Sequence, residues 1–307
     1  MSTALRKAAS AAIAALALLA ACTSPARSGT GLAERLRGGE STAPPRTPPS
    51  TTIAYGQDSL QRLDLWQAPG NRPAPLVMFV HGGGWQRGSK DNAASRWAPT
   101  HFPQQGYAYA AIDYRLVPTA TVEQQGEDVA QALRALLDRA SELGIDRRRV
   151  VLMGHSAGAH LVALVGTDAR YLQSAGLGFA DVDGVIANDG AAYDVPAEMR
   201  DGGRRARRIY EQAFGTDPVR QRALSPVHQA AAPNVAAFLL LHVQRPDGVS
   251  QAQALGRALT AAGTAVEFGS FPGTGLRGHA QINRELGNPD YPATAVVDAW
   301  LAEVFGH

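Results

Sequence analysis

Residues 150–164 read "VVLMGHSAGAHLVAL". An apolar, β-branched run enters the segment, a helix-compatible run leaves it, and between them a single serine sits among glycines. The run "VVLM" has the length and composition of a buried strand, and "AHLVAL" continues as a buried helix. A chain that passes from strand to helix within one or two residues must turn sharply. Gly154 and Gly158 remove side chains where such a turn brings backbone against backbone, and Ser156 sits at its apex. The helix that follows points its N-terminus at the serine and favours negative charge developing there. Placement between strand and helix makes Ser156 a candidate nucleophile rather than an ordinary turn residue.

Working outward, strand-like and helix-like runs alternate from residue 51 onward. "QRLDLWQA" (61–68) alternates apolar and polar as a half-buried edge strand does. "PLVMFVHGG" (75–83), "YAYAAIDYRL" (107–116), "DVDGVIAND" (181–189), "VAAFLLLHV" (235–243) and "TAVEFGSF" (264–271) read as further strands. "EDVAQALRALLDRASELG" (127–144), "SQAQALGRALTAAG" (250–263) and "PATAVVDAWLAEVF" (292–305) read as helices. This order predicts an α/β fold, a mostly parallel sheet with helices on both faces. The stretch 191–232 breaks the alternation with the arginine-rich "EMRDGGRRARRIYEQAFGTD" and is expected to be a small, irregular, lid-like insertion. Its cluster Arg200, Arg204, Arg205, Arg207 and Arg208 reads first as a solvated helix face and second as an anion-recognising patch.

The bulk numbers fit that reading. A chain of 307 residues with 45% hydrophobic and 18% charged residues is globular, and a net charge of +2 gives no argument for nucleic acid. Residues 1–22, "MSTALRKAASAAIAALALLAAC", have a basic start, a short apolar run and a small-residue exit, the order of an export signal. Cys22 is the only cysteine, so no internal disulfide can form. The ending Leu19-Ala20-Ala21-Cys22 resembles the lipobox of bacterial lipoproteins, which implies lipidation at Cys22 and anchoring to a membrane lipid surface after export. Residues 23–50 are rich in Ser, Thr, Pro, Gly and Arg and are expected to be a disordered tether. That leaves 51–307 as the folded domain.

The chemistry needs more than a serine. His81-Gly82-Gly83-Gly84-Trp85 follows a strand about seventy residues before Ser156. Consecutive glycines expose backbone N–H groups that can hold an oxyanion, so Gly83, Gly84 and Ala157 are the expected donors. A serine hydroxyl also needs a base, and the base needs a carboxylate. His279, in the glycine-rich "GTGLRGHAQIN" after the last strand, is the expected base. His160 lies inside the helix after the serine, His242 inside an apolar strand, and His228 in the insertion. Asp247, the carboxylate of the loop after "FLLLHV", is the expected acid, with Asp189 in "IANDG" as its competitor. Trp85 and Tyr193 are candidates to line a substrate pocket. No metal site and no organic cofactor are expected.

"HGGGW", "DYRL" (113–116), "GHSAGAH" (154–160), "LSPVH" (224–228) and "GHAQIN" (278–283) together resemble the α/β-hydrolase carboxylesterases. The resemblance is to the hormone-sensitive-lipase-like esterases, the feruloyl/acetyl esterases and the kynurenine formamidases, and it covers roughly residues 51–307. It implies the α/β-hydrolase fold, a triad at Ser156, Asp247 and His279, an oxyanion hole at Gly83, Gly84 and Ala157, and a small-molecule ester as substrate. Asp113, Arg115 and Asp128 match positions of structural ion pairs. One departure stands out: the usual "HG-x-x-D" reads "HVQRPD" here. Arylformamidase or amidase chemistry is the alternative with the same triad, and a non-enzymatic binding protein on this scaffold is the reading from another class.

Overall fold

The computed structural model describes residues 46–70, 73–92, 96–201 and 204–306. The expected export signal, the lipidation at Cys22 and most of the tether lie outside the described residues. Eight strands form one sheet in the order β1-β2-β4-β3-β5-β6-β7-β8. They are β1 (Thr51–Ala54), β2 (Arg62–Trp66), β3 (Ala74–Val80), β4 (Ala108–Ile112), β5 (Ile145–His155), β6 (Gly184–Asn188), β7 (Ala237–Gln244) and β8 (Ala265–Thr274). β2 pairs antiparallel with β1 and β4, and every pairing from β4 to β8 is parallel.

Position in the sheet explains the strand sequences. Every residue of β3, "APLVMFV", is buried, as expected of a central parallel strand covered on both faces. Its Leu76, Met78 and Val80 face one apolar cluster while Val77 and Phe79 face the other. Burying each such side chain contributes roughly 1.5–3 kcal/mol. β8 lies at the edge, and Phe268 there remains 49% exposed.

The principal helices are α1 (Ala98–Gln104), α2 (Val122–Asp138), α3 (Ala157–Thr167), α4 (Val195–Asp201), α5 (Arg204–Phe214), α6 (Pro246–Ala261), α7 (Gly275–Arg284) and α8 (Pro292–Val304). α2 begins earlier than its apolar spacing suggested. Thr121 accepts from the Gln124 backbone while the Gln124 side chain accepts from Thr121 N–H, a reciprocal cap that moves the start back to Val122. Its end was read too far along: the helix stops at Asp138, a short turn spans Ala140–Leu143, and Gly144 closes it at φ 69°. All of α3 is buried, because it packs between the sheet and α2.

The stretch expected to be irregular is largely helical. It carries α4 and α5 with short turns at Pro218–Ala223 and Pro226–Gln229. α5 has an apolar side hidden among its arginines: Tyr210, Ala213 and Phe214 are buried, and Phe214 packs on Trp85 at 4.7 Å between ring centres. Among the described residues no helix is long and apolar enough to cross a membrane. Asp128 is fully buried, and Arg115 binds it through Nε and Nη2 at 2.7–3.1 Å. The Gln61 side chain also donates to it, tying the β2 approach to α2.

Candidate active site

The site sits at the carboxyl ends of β3, β5, β6 and β7. Val80 pairs with Gly154 and His155 pairs with Asn188, so these strand ends lie side by side. Ser156 follows β5 directly, with φ 55° and ψ −118°. A non-glycine residue rarely adopts that conformation, and the surroundings must hold it there. Ser156 N–H donates to Asn188 O at 3.1 Å on one side. On the other, a Cβ at Gly158 would lie 2.1 Å from Val80 O, and one at Gly154 would lie 2.3 Å from Gly158 O. The two glycines therefore allow helix α3 to start within contact distance of β3.

His279 lies on α7, and its Nε2 is 2.9 Å from Ser156 Oγ. Its Nδ1 lies 2.6 Å from Asp189 Oδ2. The acid partner of the imidazole is thus Asp189, the competitor, and not Asp247. The reason is local. β7 runs on to Gln244, and Pro246 starts α6 at once, which puts Asp247 in the first turn of that helix. There it is 45% exposed and its Oδ2 meets Arg245 Nη1 at 3.1 Å. Asp189 follows β6, its N–H donating to Leu241 O at 2.8 Å and its Oδ1 accepting from Val243 N–H at 3.2 Å. Its side chain is fully buried. Burial would raise its pKa, but the hydrogen bond from His279, the Arg245 and His279 charges and the Val243 N–H outweigh that. The carboxyl is held below its usual range.

Two further histidines frame the site. His155 Nε2–H donates to the His279 carbonyl at 2.9 Å, and the two rings lie 4.5 Å apart. Burial, helped by the His279 charge, pushes the His155 pKa down to about 3. His81 stacks on Tyr114 at 4.2 Å, and its Nδ1–H donates to Gly82 O at 2.7 Å; burial lowers its pKa to about 4. Both rings are neutral near pH 7 and act as rigid donors rather than charges.

Gly82, Gly83, Gly84 and Ala157 line the same cleft as Ser156, a cavity of about 620 Å³. Gly83 has φ 121°, and a Cβ there would lie 1.9 Å from Arg87 O, so only glycine fits. Trp85 contributes to the cleft lining but is only 2% exposed, and its Nε1–H donates to His160 Nδ1 at 3.2 Å. Its ring packs against His160, Tyr210 and Phe214. Tyr193 is not among the cleft-lining residues. Ala192 takes φ 56°, the chain turns inward, and Tyr193 is 1% exposed. The remaining walls come from residues the sequence did not single out, chiefly Arg87, Ile209, Tyr210, Arg245, Leu276 and Asn283. His242 and His228 stand apart: His242 Nδ1 lies 3.3 Å from Val243 O, and His228 pairs with Asp194 at 3.5 Å. Among the described residues no group of acidic, histidine or cysteine side chains could hold a metal ion.

The parallel sheet, the strained serine between strand and helix, and the imidazole brought to it from the helix after the last strand define an α/β-hydrolase. Solved structures agree on the fold. Esterase B from Lactobacillus rhamnosis aligns with TM-score 0.65 at 22% identity, covering 85% of this chain and 88% of that one. Thermogutta terrifontis esterase 2, solved with butyrate bound, aligns with TM-score 0.67 at 23% identity, covering 84% and 95%. Residues 63–254 match the BD-FAE family model, and the chain belongs to the BD-FAE family. Esterase LipC of Mycobacterium tuberculosis is 30% identical over 227 residues, 66% of this chain and 55% of its own length. Kynurenine formamidase of Danio rerio is 31% identical over 114 residues, 37% of either chain. The chain thus spans about half the length of the first of these relatives and a little over a third of the second.

Proposed function

We propose that the protein is a serine carboxylesterase that hydrolyses small acyl or aryl esters through an acyl-enzyme. The observation that carries this reading is the continuous line Ser156 Oγ–His279 Nε2 at 2.9 Å and His279 Nδ1–Asp189 Oδ2 at 2.6 Å. Asp189 accepts the Nδ1–H and so fixes the tautomer whose Nε2 lone pair faces the serine. As Ser156 Oγ attacks the ester carbonyl, its proton passes to His279 Nε2, and the carbonyl electrons move onto oxygen. The backbone N–H groups of Gly83, Gly84 and Ala157 hold that oxyanion. Collapse expels the alcohol, which takes the proton from His279 and leaves the acyl group on Ser156. Water then repeats the sequence with His279 as base, and the acid is released.

The cleft volume of about 620 Å³ suits a small ester with part of its leaving group. Amide or formamide hydrolysis with the same residues is the second reading, favoured by the likeness to kynurenine formamidase. Export and lipid anchoring through Cys22 belong to the same proposal and rest on the sequence of residues 1–22. Globomycin-sensitive processing and radiolabelled palmitate incorporation that vanish in Cys22→Ala test that part.

The activity is tested by hydrolysis of p-nitrophenyl acetate, butyrate and decanoate by the protein without residues 1–22, beside Ser156→Ala. The expected outcome is turnover of the short esters that falls by at least about 10⁴-fold in the variant. Equal activity in both proteins overturns the reading. Turnover of N-formyl aryl amides in preference to the esters moves it to the formamidase alternative.

A further inference from the structure

Arg245 lies where the sequence led one to expect the acid, at the end of β7, and it is only 9% exposed. Its fork reaches both the backbone and the side chain of the turn that carries Asp189. Nη2 donates to Gly190 O at 3.0 Å and to Asp189 O at 3.5 Å. Nη1 meets Asp247 Oδ2 at 3.1 Å. Nε stands 3.5 Å from Asp189 Oδ2, the oxygen that also meets His279, and it is buried without a hydrogen bond. Asp189 itself takes φ 44°, a conformation that L residues rarely adopt. A buried guanidinium normally has its donors satisfied, because a donor left without an acceptor is costly. Here one donor is held facing a carboxylate instead.

We infer that Arg245 is a positioning residue for the proton relay: its guanidinium, anchored by Asp247, clamps the strained Asp189-Gly190 turn and sets the charge felt by the Asp189–His279 pair. The inference rests on the reading of Asp189 as the acid. A planar fork is needed, because one cation must satisfy two carbonyls and face two carboxylates at once, which an ammonium point charge does not match.

Charged and titratable groups around Asp189 and Arg245 come from each packed element. His155 ends β5, His279 comes from α7, Arg245 follows β7, Asp247 opens α6, and Tyr193 and Glu198 come from the insertion. Tyr291, ahead of α8, also feels the Asp189 charge. His155 stays neutral in the working range, and Glu198 accepts a hydrogen bond from Tyr210. Arg245 is therefore the fixed cation at this oxygen.

The experiment compares the pH dependence of kcat/KM for the wild type, Arg245→Gln, Arg245→Lys and Asp247→Asn. Removing the cation favours the protonated pair, so the acidic limb of Arg245→Gln is expected to rise by about one pH unit. Asp247→Asn removes a neighbouring anion, and its limb is expected to fall by about half as much, since the carboxylate is half exposed. Arg245→Lys is expected to keep the limb near the wild-type position while its plateau drops about tenfold through loss of the clamp. A lower plateau with an unmoved limb in Arg245→Gln overturns the inference, as does an unmoved or rising limb in Asp247→Asn. The second result decides the matter if Arg245→Gln does not fold. The same titration is read without turnover from the downfield NMR signal of the His279 Nδ1–H, assigned by its absence in Asp189→Asn. Protein inactive on every ester and formamide therefore fails the esterase reading, while the NMR midpoints still decide the role of Arg245.

Discussion

Replacing Asp189 by Asn tests the choice of acid most directly. The carboxylate is fully buried, with Oδ2 2.6 Å from His279 Nδ1 and Oδ1 3.2 Å from Val243 N. An amide can serve only one of these neighbours. With its oxygen toward Val243 N–H, its NH₂ faces His279, so Nδ1 must accept, Nε2 carries the proton, and Ser156 loses its base. With the amide flipped, two donors face each other at Val243, a cost of about 1–3 kcal/mol, and a neutral oxygen supports the imidazolium far less than a carboxylate. Either way kcat is expected to fall by about 10³–10⁴-fold, roughly 4–5.5 kcal/mol of lost transition-state stabilisation. Asp247→Asn is expected to cost less than about tenfold, because Asp247 touches Arg245 and not His279. The assay is p-nitrophenyl butyrate hydrolysis at neutral pH, with circular dichroism confirming that both variants fold. An Asp189→Asn enzyme retaining more than a tenth of the activity, or an Asp247→Asn enzyme that is the more damaged, refutes the assignment.

Gly158→Ala is expected to be insoluble or to melt far lower than the wild type, since its Cβ would lie 2.1 Å from Val80 O. Gly144→Ala, at φ 69° with open space around it, should cost only about 1 kcal/mol in a urea titration; equal losses in the two variants contradict the packing argument. Acid should destabilise the fold. Burial lowers His81 and His160 to about 4 and His155 to about 3, all below the unfolded value of 6.5. The unfolded chain therefore binds protons first, and stability is full above pH 6.5 and lost as pH falls toward 4. Each histidine accounts for about 2 kcal/mol between pH 6.5 and 5. A urea midpoint that stays constant from pH 7 to pH 5 rules this out.

Legibility in the sequence followed the range of the interactions. The turn at Ser156 was readable because its constraint is local: Gly154 and Gly158 lie two residues either side, and the flanking runs declare strand and helix. His279 was readable because the glycine-rich segment after the last strand leaves few competitors, although that segment folds as helix α7 and not as a loop. The acid was not, because the choice between Asp189 and Asp247 depends on which strand end His279 meets. Both aspartates follow apolar strands, and those strands are neighbours in the sheet. The available signal was Arg245-Pro246. A proline there starts a helix immediately and draws Asp247 into its first turn, where an adjacent arginine can claim it. Tyr193 was misjudged for a similar reason, since the positive φ at Ala192 that buries it has no glycine to announce it. The helices of the insertion were hidden in the sequence by its arginines: Arg207 and Arg208 are exposed, while Tyr210, Ala213 and Phe214 form the buried side of α5.

The move of the acid from the end of β7 to the end of β6 costs the architecture little, because paired parallel strands lie about 4.8 Å apart and both ends border the imidazole. The consequence is electrostatic. Before the serine proton moves, a fully buried Asp189 would be an unpaired anion, which is expensive unless a cation stands by. Arg245 supplies that cation from the strand end that the acid gave up. Asp247, half exposed, offsets part of the guanidinium charge and leaves the cluster of Asp189, Arg245 and Asp247 at net −1. When His279 takes the serine proton, the imidazolium forms beside that net negative charge, while the matching negative charge develops on the substrate oxygen at the backbone N–H groups. On this reading the total charge is unchanged, but each new charge appears next to groups of opposite polarity, so the arrangement favours the transition state over the ground state. The same logic explains why a lysine at position 245 would keep the balance of charge yet lose rate. It would match the anion but release the carbonyls of Asp189 and Gly190, and the carboxylate would then meet the imidazole through a turn free to move.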